Sequence, residues 1–271
     1  STKIANKLCK NDINAPVIEM TMFGITAKFI GEHVFAISGG IFDISLNNKP
    51  IRTNKAYIAK DGDILSIKSA KQGLRCYLAV TGGFDVPLFM GSAATNLKIK
   101  VGGFNGRKLK AGDILKIGKA DKIKNIEKRE LPENTYNNPV KVRVVLGPQD
   151  DMFSENDLLL FSNQQYTVTS DLDRMGIRLW GIALRGKEKL EIISDAITFG
   201  SIQITNSGMP IILMADHQTT GGYAKIATVI SADLPKLAQV KPKDKISFEI
   251  IDIDIAEKIA IKQKKHIDKL F

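Results

Sequence analysis

The stretch from Ala215 to Tyr223 reads ADHQTTGGY and concentrates side chains that could bind a small molecule. An amide, two hydroxyls and a phenol occur within six residues: Gln218, Thr219, Thr220 and Tyr223. Gly221 and Gly222 remove side-chain bulk, so backbone N–H groups can approach a ligand closely. This combination suits a neutral amide, a carboxylate or a carboxylated intermediate better than a metal. The alternative is a tight turn whose Thr and Gln side chains bond to their own backbone.

Two other polar stretches could support such a site. The first, from Ser170 to Arg178, reads SDLDRMGIR, and the planar guanidinium of Arg174 could hold a carboxylate or a phosphate. Equally, Asp173 and Arg174 could bond to neighbouring loops and hold them together. The second stretch follows a predicted strand, and its short polar loop could place Gln149 near a site. The two aspartates after Gln149 could instead cap a following helix.

A fourth candidate lies on a predicted strand. If Ile202 and Ile204 point into a core, Gln203 points to the opposite face, because side chains alternate along a strand. Gln203 could then line a groove, or it could be an ordinary half-buried strand residue.

Several other chemistries are not supported by the residue pattern. The histidines are far apart and none has metal-ligand spacing to another: His33, His217 and His266. No nucleophile elbow and no phosphate-binding loop motif is present. Two cysteines in the chain argue against a disulfide framework, and Cys76 lies in an apolar run that predicts burial. We therefore expect no metal site and no reactive thiol.

The net charge of +10 arises mostly from lysines spread along the chain. Aromatic residues are not interleaved with them, so we do not predict nucleic-acid binding. No run of 18 apolar residues is present, which argues against a membrane helix. No signal peptide is visible in the first ten residues, and with few cysteines a cytoplasmic location is expected.

The elements that must position these residues are mostly strands. Short apolar runs are separated by Gly, Asn, Asp or Pro, and this spacing favours barrels or sandwiches; they include residues 64–67, 75–80, 140–146, 202–204 and 211–214. A polar segment near residues 119–139 suggests a linker. We predict a first β-barrel domain over 1–130, a second over 139–252, and a C-terminal amphipathic helix over 253–271.

An internal repeat supports two related domains. The motif at residues 62–67 recurs at 200–205, and Thr81–Phe84 recurs at Thr220–Tyr223, both about 140 residues later. Two Asp-containing turns, at residues 111–114 and 242–246, could close the two units. The first TGGF copy lacks the polar prefix of the second, so it is predicted to be the structural version of the turn.

These residues resemble a known family, which comprises 5-oxoprolinase C subunits and allophanate hydrolase subunit 2-like proteins of the biotin-dependent carboxyltransferase type. In the second half the matching motifs are Gly147-Pro148-Gln149, Asp173-Arg174-Met175-Gly176, Gly200 with Ile202-Gln203, Gln218 to Tyr223 and Ala232-Asp233-Leu234. In the first half they are Ala5-Asn6 with Leu8 and Asn11, Gly82-Gly83, Gly91-Ser92 with Thr95, and Gly106-Arg107. The resemblance covers nearly the whole chain.

The resemblance implies a mainly β fold of two tandem cyclophilin-like β-barrels with a short C-terminal helix. It implies one component of ATP-dependent 5-oxoprolinase, which with A and B subunits hydrolyses 5-oxo-L-proline to L-glutamate with ATP as co-substrate. Two alternatives stay open. One is a carboxyltransferase-type component that acts on urea- or allophanate-like amides with biotin. The other is a non-catalytic regulatory binding protein, an antagonist of a sporulation-kinase inhibitor.

Family members begin with a further segment, so we expect this chain to be shortened at its N-terminus. The substrate-binding residues predicted for the complex are Gln218, Thr219, Thr220, Gly221, Gly222, Tyr223, Arg174, Gln203 and Gln149. Their expected roles are binding and charge stabilisation. No catalytic base can be named from the sequence.

Overall fold

The structure, a computed structural model, describes residues 1–120 and 122–271. It divides into two compact units: Ser1–Thr135 with Lys269–Phe271 form unit 1, and Tyr136–Asp268 form unit 2. Each unit has its own hydrophobic core, as separate domains require. The division falls inside the polar segment between the two predicted domains.

Unit 1 is built on two long antiparallel strands. Its elements are α1 (Thr2–Leu8), β1 (Ile18–Thr21), β2 (Thr26–Lys28), β3 (His33–Leu46), β4 (Lys49–Pro50), β5 (Ala56–Ala59), β6 (Ile64–Val80) and a 3-10 helix, Ile126–Lys128. All six strands form one sheet, in which β6 pairs with β1, β2 and β3, and β3 also pairs with β4 and β5. The predicted strands at 64–67 and 75–80 are therefore the two ends of the single strand β6.

The second half of β6 is buried on both faces. Residues 73–80 are all buried, whereas the middle of the strand is exposed. On one face, Leu8 and Cys9, at the end of α1, belong to a cluster with Ala36 and Ala79. On the other face lies the main core of unit 1, which includes Phe35. This two-sided burial explains why Cys76 to Val80 is continuously apolar rather than alternating.

Both cysteines lie in unit 1, and both are free and buried. The predicted burial of Cys76 is thus confirmed. Burial raises the pKa of the Cys9 thiol to about 12 and that of Cys76 to about 12. Since the thiolate is the reactive form, neither side chain is a nucleophile at neutral pH.

Unit 2 contains a closed barrel. Its elements are β7 (Val140–Leu146), a 3-10 helix (Asp150–Met152), α2 (Glu155–Asn163), β8 (Tyr166–Leu172), β9 (Gly176–Trp180), β10 (Glu191–Ala196), β11 (Ser201–Ile204), β12 (Pro210–Leu213), β13 (Thr220–Tyr223), β14 (Lys225–Val229), α3 (Leu234–Leu237), β15 (Lys245–Ile250) and α4 (Ile253–Asp268). Around the barrel the order is β11-β12-β9-β8-β15-β7-β14, while β10 and β13 form a separate two-stranded sheet. The mainly β fold with a C-terminal helix is confirmed.

Helix α2 packs one aromatic side chain onto the barrel. The rings of Phe161 and Phe248 stack with centroids 4.6 Å apart. The helix begins at Ser154, whose hydroxyl accepts from the Asp157 amide while the Asp157 carboxylate accepts from the Ser154 amide. The alternative that Asp150 and Asp151 cap this helix is wrong, because these residues form the preceding 3-10 turn.

The C-terminal helix α4 is amphipathic, as predicted, but it ends at Asp268. Ala256 is buried and packs with Ile230 and Ala232, and Ile259 lies against the same cluster. Ile255, in the first turn of the helix, is nearly half exposed. Within the described residues, no helix has both the length and the apolar character needed to cross a bilayer.

The turns at the two proposed repeat ends are the same. In unit 1, the Asp113 amide donates to Lys110 O at 3.1 Å, and the Lys110 amide donates to Asp113 Oδ2 at 2.7 Å. In unit 2, Asp244 and Lys241 form the same pair of bonds, at 3.1 and 2.8 Å. The same turn also occurs within unit 1 at Lys60 and Asp63, with bonds of 3.1 and 2.8 Å, so it does not by itself identify the repeat ends.

Candidate functional site

The predicted polar stretch of unit 2 lies at the surface. Strand β13 pairs antiparallel with β10, with Asp195 opposite Gly221 and Ala196 opposite Thr220. The side chains of Gln218, Thr219 and Thr220 are exposed. The stretch is therefore open to a ligand and is not packed beneath its own barrel.

A buried lysine lies immediately after β13. Lys225 is 3 % exposed, and its ammonium group donates to the Asp195 carboxylate and, at 3.0 Å, to Ala196 O. The lysine lowers the pKa of Asp195 by its hydrogen bond, helped by the Ala196 amide and the Gln149 side chain. The lowered pKa favours the Asp195 carboxylate, and a buried lysine side chain needs such a partner.

Gln149 joins this pair from the end of β7. Its Oε1 accepts from the Lys225 amide at 3.1 Å, and its Nε2 donates to Asp195 Oδ2 at 3.3 Å. The prediction that the polar loop after β7 places Gln149 beside the stretch agrees with this geometry. Because both ends of its amide are bonded, Gln149 positions Lys225 and Asp195.

Gln203 lies beneath β13. It is 2 % exposed, like the other residues of β11, which are all buried. Its Nε2 donates to Tyr223 O at 3.2 Å. A Cβ added at Gly221 would lie 2.8 Å from Gln203 Nε2, so a glycine lets the strand settle on this amide. Gln203 supports the strand from below and does not line an open groove, so of the two alternatives for this residue the geometry favours the one without a groove.

Arg174 holds the loop that leads into the stretch. Its Nε and Nη2 bind the Asp216 carboxylate at 2.8 and 3.1 Å, and the Asp216 amide donates to Arg174 O at 2.7 Å. Asp173 closes its own turn, since its Oδ1 accepts from the Met175 amide at 2.7 Å. Of the two alternatives for this motif, the geometry favours the one in which Arg174 fixes a loop.

The site therefore has two layers of different chemistry. The outer layer offers neutral donors and acceptors: Gln218, Thr219, Thr220, the partly buried Tyr223, and the backbone of Gly221 and Gly222. The inner layer is the buried Lys225 ammonium, paired with Asp195, and a second, exposed ion pair between Arg174 and Asp216 lies at the start of the stretch. Such a surface suits a small, neutral polar molecule, because a charged ligand would find the nearby charges already paired.

Sequence reasoning missed Lys225 and Asp195. Lys225 is the first residue of β14, directly before its apolar residues, and a lysine in a buried strand indicates an acidic partner. That signal does not identify Asp195, which lies 30 residues away in the chain.

The first-unit copy of the motif is enclosed by other residues of unit 1. Asn11 Nδ2 donates to Val80 O at 2.9 Å, and its Oδ1 accepts from the Gly82 amide at 2.9 Å. Thr81 Oγ1 donates to Cys9 O at 3.1 Å. A cavity of about 260 Å³ adjoins Asn11, Thr81 and Gly82. The polar groups of this turn are thus already bonded.

Comparison with known proteins adds three findings. A family model described as "Carboxyltransferase domain, subdomain A and B" matches residues 1–250. The C subunit of 5-oxoprolinase from Haemophilus influenzae is 38% identical over 99% of this chain and 85% of that protein; its Escherichia coli counterpart is 36% identical over 99% and 86%. The crystal structure of Kluyveromyces lactis urea carboxylase superposes with a TM-score of 0.91 at 29% identity, over 100% of this chain and 26% of that one.

Proposed function

The chain belongs to the family of carboxyltransferase domains with subdomains A and B, and from this we propose that it is the C-type subunit of an ATP-dependent 5-oxoprolinase. Together with A and B subunits it would hydrolyse 5-oxo-L-proline to L-glutamate. The observation that carries the proposal is the similarity, over 99% of the chain, to two bacterial proteins that are named as C subunits of 5-oxoprolinase.

The chemistry of the outer layer supports a cyclic amide as the ligand. A lactam presents one N–H donor and one carbonyl acceptor, and the Gln218 amide and the two threonine hydroxyls can satisfy both. Hydrogen bonds to the carbonyl strengthen as negative charge develops on its oxygen during attack by water. Gln149, Gln203 and Arg174 act indirectly, because their bonds hold β13 and its preceding loop in place.

The pairing of the basic side chains beside the stretch indicates whether ATP could bind there. The two basic side chains next to the stretch are paired, Lys225 with Asp195 and Arg174 with Asp216. A triphosphate needs unmatched positive charge or a metal ion. We therefore propose that the amide binds at this stretch and that ATP, as co-substrate of the complex, binds elsewhere in the complex.

A second candidate function is carboxyl transfer to a urea- or allophanate-like amide. It is favoured by the similarity to Kluyveromyces lactis urea carboxylase, although this chain spans only 26% of that protein. In that reaction carboxybiotin would donate its carboxyl group to the amide nitrogen and leave as biotin, and the neutral outer layer would hold the accepting amide. A third role, as a regulatory protein that binds a partner without turnover, is separated from both by the test below.

The test mixes this chain with the A and B subunits from the same source and measures glutamate released from 5-oxoproline with ATP. We expect release from the three-subunit mixture and none from a mixture that lacks this chain. Equal rates in the two mixtures would refute the proposal. Assembly without turnover would favour the regulatory role, and carboxylation of urea by carboxybiotin would favour the second candidate.

A further inference from the structure

A long segment of unit 1 exposes its apolar side chains. Residues 86–114, here called the apolar loop, contain no helix or strand within the described residues. Met90 is 92 % exposed, and five other large apolar residues of the loop are also exposed: Leu88, Phe89, Leu97, Ile99 and Ile114. Single exposed apolar residues are ordinary, but six in one segment mark an interaction surface.

The apolar side chains are exposed although the backbone of the loop is held by hydrogen bonds. Phe89 and Ser92 exchange two backbone hydrogen bonds, of 2.9 and 3.0 Å, and Asn96 and Val101 exchange another two, of 2.9 and 3.2 Å. A Cβ added at Gly106 would lie 2.1 Å from the Lys100 carbonyl oxygen, so the backbone packs closely on itself. The loop is ordered by its own backbone while its apolar side chains point outward.

A bidentate ion pair fixes the far end of the loop. Arg107 binds Asp113 through two bonds of 2.7 and 2.8 Å, and its guanidinium lies 5.3 Å from the centre of the Phe104 ring. The Arg107 hydrogen bond, with a further bond from the Lys110 amide, lowers the pKa of Asp113 to about 2. The Asp113 carboxylate is therefore already paired within the loop.

The charged side chains within the apolar loop are mostly basic. Lys98, Lys100 and Lys108 belong to the loop, and their ammonium groups form no salt bridge within the described part of the chain. The only acidic residue in the loop is Asp113, which Arg107 neutralises. The apolar loop therefore combines exposed apolar side chains with basic ones; the three lysines are here called its basic rim.

We propose that the apolar loop is the docking surface for a separately encoded partner subunit, which presents an apolar patch bordered by Asp and Glu. The inference rests on the proposed function in one respect, that the chain works in a complex. Apolar centres with polar rims are the usual anatomy of a protein interface, and complementary charge selects the partner. A second copy of this chain is a poor occupant, because it would bring two basic rims together.

The experiment measures binding of the A and B subunits to this chain by light scattering and titration calorimetry. The double variant Leu88→Asp/Met90→Asp should weaken the binding of at least one of the two subunits by about 100-fold, because apolar anchor residues dominate the binding energy of interfaces. Reversing the rim with Lys98→Glu and Lys100→Glu should slow association and reduce its salt dependence. The matched control is Leu159→Asp with Ile182→Asp, which alters two exposed apolar residues of unit 2 and should bind normally.

The outcomes separate this inference from the proposed function. If Leu88→Asp/Met90→Asp binds both subunits like the unaltered chain and supports the same glutamate release, the docking surface is refuted while the proposed function stands. If the unaltered chain binds neither subunit, both are refuted. The inference is also overturned if the control pair weakens subunit binding as much as the loop pair does. The same holds if the chain associates with itself and the loop variant abolishes that self-association. The milder Leu88→Ser/Met90→Ser pair, checked by circular dichroism, replaces the aspartates if those impair folding.

Discussion

The Thr-Gly-Gly-aromatic motif occurs once in each unit, and the two copies lie in opposite environments. In unit 1, Thr81 is buried and bonds to Cys9, and the Gly82 amide is bound by Asn11. In unit 2, Thr220 is exposed at the start of β13, and the threonine and glutamine before it are exposed as well.

The difference shows what a polar motif needs in order to bind a ligand. Both copies provide hydroxyls and glycine backbone, but in unit 1 the segment after α1 supplies an asparagine that uses these groups. In unit 2 the strand lies over Gln203 and beside Lys225, which support it from below and leave its outer side open. The motif therefore indicates a possible site, and its neighbours determine whether the site is available.

The largest expected effect distinguishes the two copies by their glycines. Gly82 has φ +93°, and a Cβ there would lie 2.3 Å from the Gly118 carbonyl oxygen, so Gly82→Ala should destabilise unit 1 by about 3 kcal/mol. The equivalent glycine of the second copy, Gly221, has no positive φ, and a Cβ there would meet two side-chain ends, Ile197 Cδ1 at 2.6 Å and Gln203 Nε2 at 2.8 Å. Because side-chain ends can shift whereas the Gly118 carbonyl cannot, Gly221→Ala should cost less, about 1 kcal/mol. Urea denaturation followed by circular dichroism measures both. Equal losses would mean that the two copies are under the same constraint.

The next effect concerns turnover alone. Gln218→Ala with Thr220→Ala should lower glutamate release by the reconstituted complex about 100-fold, equivalent to about 2.7 kcal/mol, because two donors to the reacting amide are lost. Assembly and unfolding should be unchanged, since both side chains are exposed. Gln165→Ala with Ser170→Ala, two exposed polar residues elsewhere in unit 2, is the control. Full turnover in the site variant would show that Gln218 and Thr220 take no part in the reaction.

A stability effect of intermediate size is expected in unit 1. The Asn11 amide donates to Val80 O at 2.9 Å and to Asn6 Oδ1 at 3.2 Å, besides accepting from Gly82. Asn11→Ala leaves these partners unsatisfied and should cost about 2 kcal/mol, with turnover per folded complex unchanged. Asn14→Ala, at an exposed side chain, should stay within about 0.5 kcal/mol. A selective loss of turnover in Asn11→Ala would contradict the structural role of the first copy.

The smallest effect is a shift in titration. The Lys225 hydrogen bond lowers the folded-state pKa of Asp195, so this pairing contributes stability above the ordinary carboxyl pKa of about 4 and loses it as the pH falls through the lowered value. Lys225→Met should move the Asp195 midpoint upward, as measured by carbon NMR of the carboxyl group. The exposed Lys189→Met is the control and should not move it. An unmoved midpoint in Lys225→Met would show that the pair does not form in solution.

Several local features of the chain were predicted from its sequence. The apolar runs predicted strands, the periodicity after residue 252 predicted α4, and the apolar surroundings of Cys76 predicted its burial. These features depend on near neighbours, whose side-chain spacing follows directly from helix and strand geometry. The polar stretch before Tyr223 and the loop at Gln149 were likewise identified by composition and motif.

Tertiary structure alone decided which polar groups are used internally and which are left for a ligand. Asn11 meets Gly82 from 71 residues away, and Lys225 meets Asp195 from 30 residues away. The burial of Gln203 depends on β13 crossing over it, which strand alternation within β11 does not reveal. Hydrogen bonds and ion pairs act over a few ångströms in space, so the chain order that determines strands and helices does not determine these contacts.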